Sequence, residues 1–393
     1  MVTSDALQEP SPEGGWSEAM ITLAQAHVVP PTISALVQPA GVLYQDGTYC
    51  PQGALWRRYR PITTQPEMPN PSGPMLEGRW LWGGVLWAHF GHFLVESAAR
   101  LWALAELHRP VDGVLFIPKR PDPDVAIRGF QTDFIHCFSP DLPIKLATSA
   151  MQVEELVVPG QGFGLGSIVS GTPKFRNAIH ARFARDIKPD GPDRIYLSRS
   201  KLGLSKGGLL GEEELEDRLR AEGYEIFHPQ DHSLDVQLAR YKAARQVIGA
   251  DGSALHLYAM VGRPDQQVAM ILRRESGANL QLVKNVQSFC KCDPLVINAL
   301  RTEWLPVNKQ RSSRESHGEL DHQVIGEELA REGFISKDAS WEPVTGRKRR
   351  IMLRQKGIRE DKNYVESPKF KQQRIRDLRR QRRAERAAQD SQS

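Results

Sequence analysis

Four polar side chains within one apolar segment have the spacing of a single helix face. At about 100° per residue, His89, His92, Glu96 and Arg100 fall within an arc of roughly 80°. The remaining positions between Phe90 and Leu104 are mostly apolar, so the polar stripe must face a partner, a cleft or water. A histidine, or a carboxylate of raised pKa, is suited to take a proton from a hydroxyl group.

His92 and Glu96 are therefore the candidates for a catalytic base, and their four-residue spacing lets one side chain orient the other. Arg100 is a supporting residue that either fixes Glu96 or meets an anionic group. The stripe is equally compatible with an internal network in which Glu96 pairs with Arg100 and backbone groups satisfy the histidines.

A glycine-bearing turn at 250–253 joins a predicted strand, 246–249, to a predicted helix, 254–260. Backbone N–H groups at such a helix start, together with the helix dipole, attract phosphate. Gly252 permits close backbone approach, and Ser253 can cap the helix and donate to a phosphate oxygen. A tight turn after a parallel strand requires glycine in any case, so an ordinary structural turn is the alternative.

Asp251 lies in the same turn, where a carboxylate would repel a bound diphosphate. We interpret it as a contact to a sugar or ribose hydroxyl, or as an alternative catalytic base. His256 follows within the predicted helix and is assigned a supporting role.

A basic loop follows the predicted strand 194–198. Ligands of open α/β sheets bind at the carboxyl ends of the strands. Arg199 and Lys201, with Lys206 farther along, are therefore candidates to neutralise a leaving diphosphate. A solvated basic loop is the alternative interpretation.

Short apolar runs alternate with helical patterns along the chain, which is typical of parallel βαβ units in a doubly wound sheet. The predicted strands are 114–118, 156–158, 194–198, 224–227, 246–249 and 268–272, and the predicted helices are 87–108, 212–222, 233–244 and 254–260.

The net charge of +5 over 393 residues is unevenly distributed. From Trp341 onward the chain has 17 Lys and Arg residues against 7 Asp and Glu, whereas the remainder has 35 against 40. The body is thus mildly acidic, which argues against nucleic-acid binding by the body. The run Lys369–Arg386 predicts a solvated or disordered tail, or attraction to anionic lipid head groups.

Neither a disulfide framework nor a metal site is expected. The four cysteines are too few and scattered for a disulfide scaffold, and Cys290 and Cys292 have no second pair for zinc. Asp122 and Asp124 alternate with prolines and are interpreted as turn residues. The N-terminus does not resemble a signal peptide, and Leu81–Val95 is too short to span a bilayer. A cytoplasmic protein, peripheral at most to the inner membrane face, is expected.

These segments, in this order, resemble glycosyltransferase family 61. The family pattern has His followed four residues later by Glu and then Arg, a strand ending Tyr-Leu-Ser-Arg, an acidic helix start, a Gly-aromatic strand, a helix carrying Gln, and Gly-x-x-Gly-Ser-Ala-Leu. The matching segments here are 91–101, 196–199, 212–215, 223–227, 233–238 and 249–255. Two positions depart from it: Asp251 stands where many members have His, and Gly211 where many have Asn.

The resemblance implies a GT-B-like α/β fold with two Rossmann-like lobes, whose parallel sheets face a central cleft, and a basic C-terminal tail. It implies an inverting, metal-independent hexosyl- or pentosyltransferase that uses a nucleotide-sugar donor, a glycan or lipid-linked acceptor and no cofactor, as in bacterial capsule or surface polysaccharide assembly. The expected divisions are an extension (1–40), an acceptor lobe (41–185), a donor lobe (186–305) and the tail (306–393). The alternatives are a non-catalytic nucleotide- or glycan-binding module, and a nucleic-acid binder acting through the tail.

Overall fold

The computed structural model describes residues 8–122, 124–373, 375–376 and 379–380. The chain forms an α/β architecture around three larger sheets. Much of the predicted basic run Lys369–Arg386, including everything from residue 381 on, lies outside the described residues. No helix in the described ranges is long and apolar enough to cross a membrane.

The strands before residue 160 form one six-stranded sheet and two small pairs, and the sheet has the order β3-β1-β10-β7-β8-β9. The bounds are β1 Met20–Val29, β2 Gln38–Pro39, β3 Gly41–Leu43, β4 Trp56–Arg57, β5 Arg60–Pro61, β6 Thr63–Thr64, β7 Met75–Leu86, β8 Gly113–Pro118, β9 Ile144–Leu146 and β10 Met151–Pro159.

This first sheet is mixed and not fully parallel. Strands β7 to β10 are mutually parallel where they pair, but β1 is antiparallel to both β10 and β3. Strand β1 lies within the segment expected to be an N-terminal extension. Gln25 has a φ of 53° and is unpaired with β10, although the register is the same on both sides of it. This irregular residue interrupts the period-two pattern by which a strand is recognised.

The second sheet is five-stranded and parallel, in the order β13-β11-β14-β15-β16. The alternating pattern predicted four of these strands and missed β16. A third sheet has the order β12-β18-β17-β19. The bounds are β11 Arg194–Leu197, β12 Gly208–Leu209, β13 Glu225–Phe227, β14 Gln246–Ala250, β15 Gln267–Ile271, β16 Leu295–Ile297, β17 Leu300–Pro306, β18 His317–Leu320 and β19 Tyr364–Glu366.

Helices cover both main sheets, and one of them has an unusual winding. An α-helical turn, α1, continues as a π-helix over Phe93–Ser97 and a 3₁₀-helix over Ala98–Ala105, so the predicted helix 87–108 is present at 90–105. The other helices are α2 Gly129–His136, α3 Pro173–Arg182, α4 Glu212–Ala221, α5 Leu234–Ala243, α6 Ser253–Val261, α7 Ala278–Cys290, α8 His322–Arg331 and α9 Gly346–Lys356, and α1 spans Phe90–His92.

One apolar cluster joins the two halves of the chain. It includes Phe93 and Trp102 of the 90–105 helix together with Leu255 and Tyr258 of α6. The 90–105 helix therefore lies between the first sheet and the helices of the second, which places its polar face near the turn that precedes α6.

The region from 306 to 366 is folded, although it was expected to belong to a partly disordered or helical tail. Strand β18 pairs with β12, and Trp304, Met352, Ile358 and Tyr364 form a small core with Leu210. The basic side chains of α9 are partly offset by acids elsewhere, for example Arg349 by Glu319 at 2.7 Å. The apolar runs in this region are short and are separated by charged residues, so no periodic pattern predicts its strands and helices from the sequence.

Gly211 provides a test of how α9 packs on this half. It has a φ of 72°, and an added Cβ would lie 2.5 Å from Sδ of Met352. The left-handed conformation alone costs an L-residue about 1–2 kcal/mol. We expect Gly211→Ala to lower the free energy of unfolding in urea by about 2–3 kcal/mol, the sum of that cost and the contact with Met352.

In a Met352→Ala background, Gly211→Ala should lower the free energy of unfolding only by the cost of the left-handed backbone, about 1–2 kcal/mol. Gly203→Ala is the matched control, because its φ is −60° and no atom lies within 4 Å of the added Cβ. An equal cost of Gly211→Ala in both backgrounds would show that Met352 does not pack there.

Candidate functional site

Glu96 is a buried carboxylate held by a histidine and an arginine. Its side chain has no exposed area, and its Oε2 lies 2.8 Å from Nδ1 of His92, the contact that the four-residue spacing predicts. Arg57 donates from Nε to Oε1 at 2.6 Å and from Nη2 to Oε2 at 2.5 Å. The carboxylate is thus gripped in a two-pronged ion pair, a strong and directional arrangement.

Arg57 is a site residue that sequence reasoning missed. It lies 39 positions before Glu96, in β4, and no local spacing links the two residues. Its guanidinium also stacks 4.7 Å from the ring centre of Trp87, which in turn lies 4.8 Å from the His92 ring. The adjacent Trp56 and Arg57 were the only sequence signal for this site, and they do not distinguish it because such pairs are common on protein surfaces.

The charge state of Glu96 follows from these contacts. Burial alone would raise the pKa of this carboxyl, but the hydrogen bonds from His92 and Arg57 outweigh it and lower the pKa below its usual value. Glu96 is consequently an anion at neutral pH and a weak proton acceptor.

His92 is the more accessible member of the pair, since 32% of its side chain is exposed. Its Nδ1 faces the Glu96 carboxylate, which favours the tautomer with the proton on Nδ1. Nε2 is then the nitrogen able to accept a proton from a substrate. A carboxylate, an oriented imidazole and a free ring nitrogen form the arrangement required of a general base.

Arg100 does not pair with Glu96, contrary to one of the two roles proposed for it and to the internal-network alternative. It is fully buried on the other side of the helix, donating to the backbone carbonyls of Pro159 and Ala54. The winding change within the 90–105 helix rotates position 100 away from the stripe, because π and 3₁₀ turns do not keep 100° per residue. Arg100 therefore fastens β10 to the segment before β4.

The turn after β14 lies against the start of the same helix. Gly91 faces Ser253 so closely that a Cβ added to Gly91 would lie 2.9 Å from Oγ of Ser253. Gly252, not Ser253, is the N-cap residue of α6, so the predicted capping role of Ser253 is wrong. Its hydroxyl lies instead at the junction of the two halves, against Gly91, which is the residue before His92.

Asp251 is buried beneath this turn and paired with two arginines. Its Oδ1 lies 3.1 Å from Nε of Arg273 and its Oδ2 lies 3.4 Å from Nε of Arg274. The carboxylate is fully buried, and burial raises its pKa despite the two cations. A group enclosed in this way cannot reach a substrate hydroxyl, so the geometry disfavours Asp251 as a base and as a sugar contact. Sequence reasoning missed Arg273 and Arg274, which follow β15.

Arg199 lies beside the same turn, at the carboxyl end of β11. A Cβ on Gly252 would come within 2.9 Å of its Nη1, so glycine at 252 makes room for this guanidinium. Its Nη2 donates to the carbonyl of Lys206 at 2.9 Å, and its backbone N–H donates to Glu212 at 2.7 Å. Nε is buried and has no hydrogen-bond partner among the described residues.

Several cations surround the space between His89 and this turn. Burial, together with the charges of His92, Arg314, Lys206 and Arg199, lowers the pKa of His89 to about 4. We call this region the cationic cleft and define it by five residues: Arg199, Lys206, Arg273, Arg274 and Arg314. Asp251 pairs with Arg273 and Arg274, Glu315 pairs with Arg314 at 3.6 Å, and Glu212 accepts from the backbone N–H of Arg199. Five cations against three carboxylates leave a positive balance suited to an anion.

Two other predicted residues lie apart from the cleft. Lys201 points outward and pairs with Asp231 at 3.0 Å, so it is not placed to bind phosphate. His256 is enclosed beside α7, where its Nδ1 contacts Oδ1 of Asn285, and burial lowers its pKa to about 4. It stays neutral at physiological pH and supports the packing of α6 on α7.

No group of three or more His, Cys, Asp or Glu side chains is placed to hold a metal ion in the described ranges. Asp122 accepts a hydrogen bond from the backbone N–H of Asp124 at 3.1 Å, a local turn contact of the kind predicted.

Comparison with known proteins bears on this arrangement directly. Residues 90–268 match the protein-family model described as Glycosyltransferase 61. That range includes His92, Glu96, Arg199 and the 251–253 turn, and it confirms the resemblance inferred from the ordered motifs. No curated protein matches the chain. The match gives no support to the two alternative functions.

The ion pair of Glu96 predicts an asymmetric stability effect. Removing one partner of a buried pair leaves an uncompensated charge, so Arg57→Gln should lower the free energy of unfolding by about 3 kcal/mol. The double variant Arg57→Gln/Glu96→Gln removes both charges and should recover most of that loss. Urea unfolding of the four proteins of the cycle measures the coupling.

Arg60→Gln is the matched control for this cycle, because Arg60 is exposed near the same hairpin. It should change stability by less than about 0.5 kcal/mol. Equal losses for Arg57→Gln and the double variant would rule out the charge explanation.

Proposed function

We propose that this chain, whose residues 90–268 match the Glycosyltransferase 61 model, catalyses an inverting glycosyl transfer that uses His92 as the base. The donor is a nucleotide-sugar and the acceptor a glycan or lipid-linked glycan of surface polysaccharide assembly. The observation that supports this most is the contact of two parts: the His92–Glu96–Arg57 unit and the Ser253 turn meet at Gly91.

The acceptor side of the reaction belongs to His92. Its Nε2 takes the proton of the attacking hydroxyl while the oxygen forms a bond to the anomeric carbon. Glu96 is a positioning residue: its negative charge holds the ring and stabilises the imidazolium that forms. Arg57 keeps Glu96 ionised by its two short hydrogen bonds, so the carboxylate does not compete for the proton.

The donor side belongs to the cationic cleft. As the bond between the anomeric carbon and the phosphate oxygen breaks, negative charge grows on the leaving diphosphate. The N-terminal N–H groups of α6, the Ser253 hydroxyl and the Arg199 guanidinium, whose Nη1 lies beside Gly252, supply positive potential there. We propose that these groups neutralise the leaving diphosphate without a metal ion. The hexosyl or pentosyl character of the donor belongs to this proposal as well.

A GT-B-like arrangement fits the positions of these parts. The 251–253 turn and Arg199 follow the carboxyl ends of adjacent parallel strands, β14 and β11, and His92 follows the carboxyl end of β7. Two sheets that present these ends to a common cleft would place donor and acceptor on opposite walls. On this view the acceptor lobe includes β1, and the donor lobe extends to β19.

The base assignment predicts a loss of turnover without a loss of donor binding. His92→Gln should lower kcat by about 10²–10⁴-fold, the contribution usual for general base catalysis, with donor KM little changed. Glu96→Gln should lower kcat less, because the ring stays in place but loses its charged partner. Transfer is measured with the nucleotide-sugar that most raises the melting temperature in a panel.

His108→Gln is the matched control for this series, since His108 is exposed beyond the same helix. Its kcat should equal that of the parent. Undiminished turnover in His92→Gln would remove this histidine from the mechanism.

The donor side is tested by a pair of neighbouring cations. Arg199→Gln should weaken the binding of uridine or guanosine diphosphate about 10–100-fold, because a charge-assisted contact to phosphate is lost. Lys201→Gln should leave affinity unchanged, because that amine pairs with Asp231 away from the cleft. Isothermal titration calorimetry measures both, and equal effects would contradict the placement of the diphosphate.

A further inference from the structure

Four large apolar side chains are exposed on one small part of the first half of the chain. Ile33, Leu36 and Val37 are 49%, 48% and 37% exposed, and Tyr59 is 72% exposed. Single exposed apolar residues are ordinary, but a cluster of them marks an interaction surface. We call these four residues the apolar rim.

Strand pairing brings the two parts of the rim together. Strand β2 runs parallel to β6 with Gln38 opposite Thr63, and the backbone N–H of Gln38 donates to Ile62 at 3.1 Å. Segment 32–37 leads into β2, and hairpin β4–β5 leads into β6. Because these two strands are parallel, both segments lie at the same end of the pair. The rim residues therefore share one edge of the molecule.

The tip of the hairpin has a strained backbone that presents Tyr59. Arg58 has a φ of 57°, a region that non-glycine residues adopt at a cost, and such strain concentrates at functional sites. The backbone N–H of Arg58 donates to Leu165 at 2.8 Å, which anchors the tip to the body. Tyr59 is consequently held outward on a fixed support.

Exposed cations flank the rim. Arg58, Arg60 and Arg120 are exposed and form no ion pair among the described residues. The guanidinium of Arg60 lies 5.9 Å from the ring centre of Tyr59. Asp122 and Asp124 follow Arg120 closely in the chain, so three arginines and Lys119 stand against these two carboxylates.

The rim connects to the candidate base through two side chains. Lys119 donates from Nζ to the carbonyls of Ala35 and Leu36 at 2.7 and 3.0 Å. The same ammonium lies 5.6 Å from the ring centre of Trp87, and that ring lies 4.8 Å from His92. The rim thus borders the acceptor side of the cleft.

We propose that the apolar rim and its three arginines dock on an anionic bilayer surface. Aliphatic side chains and a tyrosine suit the boundary between head groups and acyl chains, and arginines attract anionic head groups. Docking by this edge turns the His92 side of the cleft to the membrane. The corollary, that the acceptor is lipid-linked, rests on the proposed function, whereas the docking does not.

The test is co-sedimentation of the full chain with vesicles of phosphatidylcholine, with or without phosphatidylglycerol at three parts in ten. The parent protein should partition at least about tenfold more strongly into the anionic vesicles. The rim variant Ile33→Ser/Leu36→Ser/Tyr59→Ser should lose about tenfold of that partition through its apolar contacts. Arg58→Gln/Arg60→Gln/Arg120→Gln should lose a similar factor and most of its salt dependence.

The matched control is Leu280→Ser/Val307→Ser/Val324→Ser, three exposed apolar residues elsewhere, and it should bind as the parent does. A tail variant, Lys371→Gln/Arg376→Gln/Arg379→Gln, separates the rim from the basic C-terminal run. Binding that is lost in the tail variant and kept in the rim variant overturns the proposal, as does equal binding of the parent to both vesicles.

Melting temperatures within a few degrees of the parent show that the surface variants are folded. The vesicle measurement uses neither donor nor turnover. An active His92→Gln enzyme would therefore overturn the proposed function and leave the docking result unaffected, while a non-binding parent would do the reverse.

Discussion

The buried negative charge of Glu96 is the constraint on which the first half of the molecule depends. A carboxylate without solvent is tolerated only when paired and hydrogen-bonded, and here Arg57 and His92 meet that need together. One ion pair thereby fixes three things: the β4–β5 hairpin against the 90–105 helix, the ring orientation of His92, and the ionisation of Glu96. Glu96 lies in the π-helical turn Phe93–Ser97, so the winding of the helix changes at the residue that carries this charge.

A second buried charge organises the opposite wall in the same way. Asp251 pairs with both Arg273 and Arg274 at the carboxyl end of the parallel sheet, one negative charge against two positive ones. Arg273 also donates to the carbonyl of Arg314, in the loop before β18. The pairing therefore links the turn before α6 to the third sheet and keeps the positive potential of the cleft in place. Both walls thus use a carboxylate as an internal anchor, and the groups that face the cleft are an imidazole, a hydroxyl and guanidinium groups.

Local pattern missed β16, helices α7 to α9 and the third sheet. It predicted four of the five strands of the second sheet, because runs such as 246–250 and 267–271 are short, mostly apolar and bounded by turn residues. The contact of His92 with Glu96 was accessible for the same reason, since four residues span one helical turn. Contacts between residues far apart in the chain could not be predicted in this way. The ion pairs of Arg57 with Glu96 and of Asp251 with Arg273 form only when the strands assemble into sheets. Arg100 was misassigned because the helix changes its winding, and Lys201 because its partner, Asp231, lies in another loop.

The pairing of β12 with β18 has a consequence for how the protein is made. The loop that carries Arg199 is held from below by β18 and by Lys356, whose ammonium donates to the carbonyl of Ser200 at 3.1 Å. Both supports are synthesised more than a hundred residues after the loop itself. During translation the wall that carries His92 can therefore form well before the wall that carries Arg199 is complete. A nascent chain that lacks residues 317–356 would leave the Arg199 loop without both of these supports.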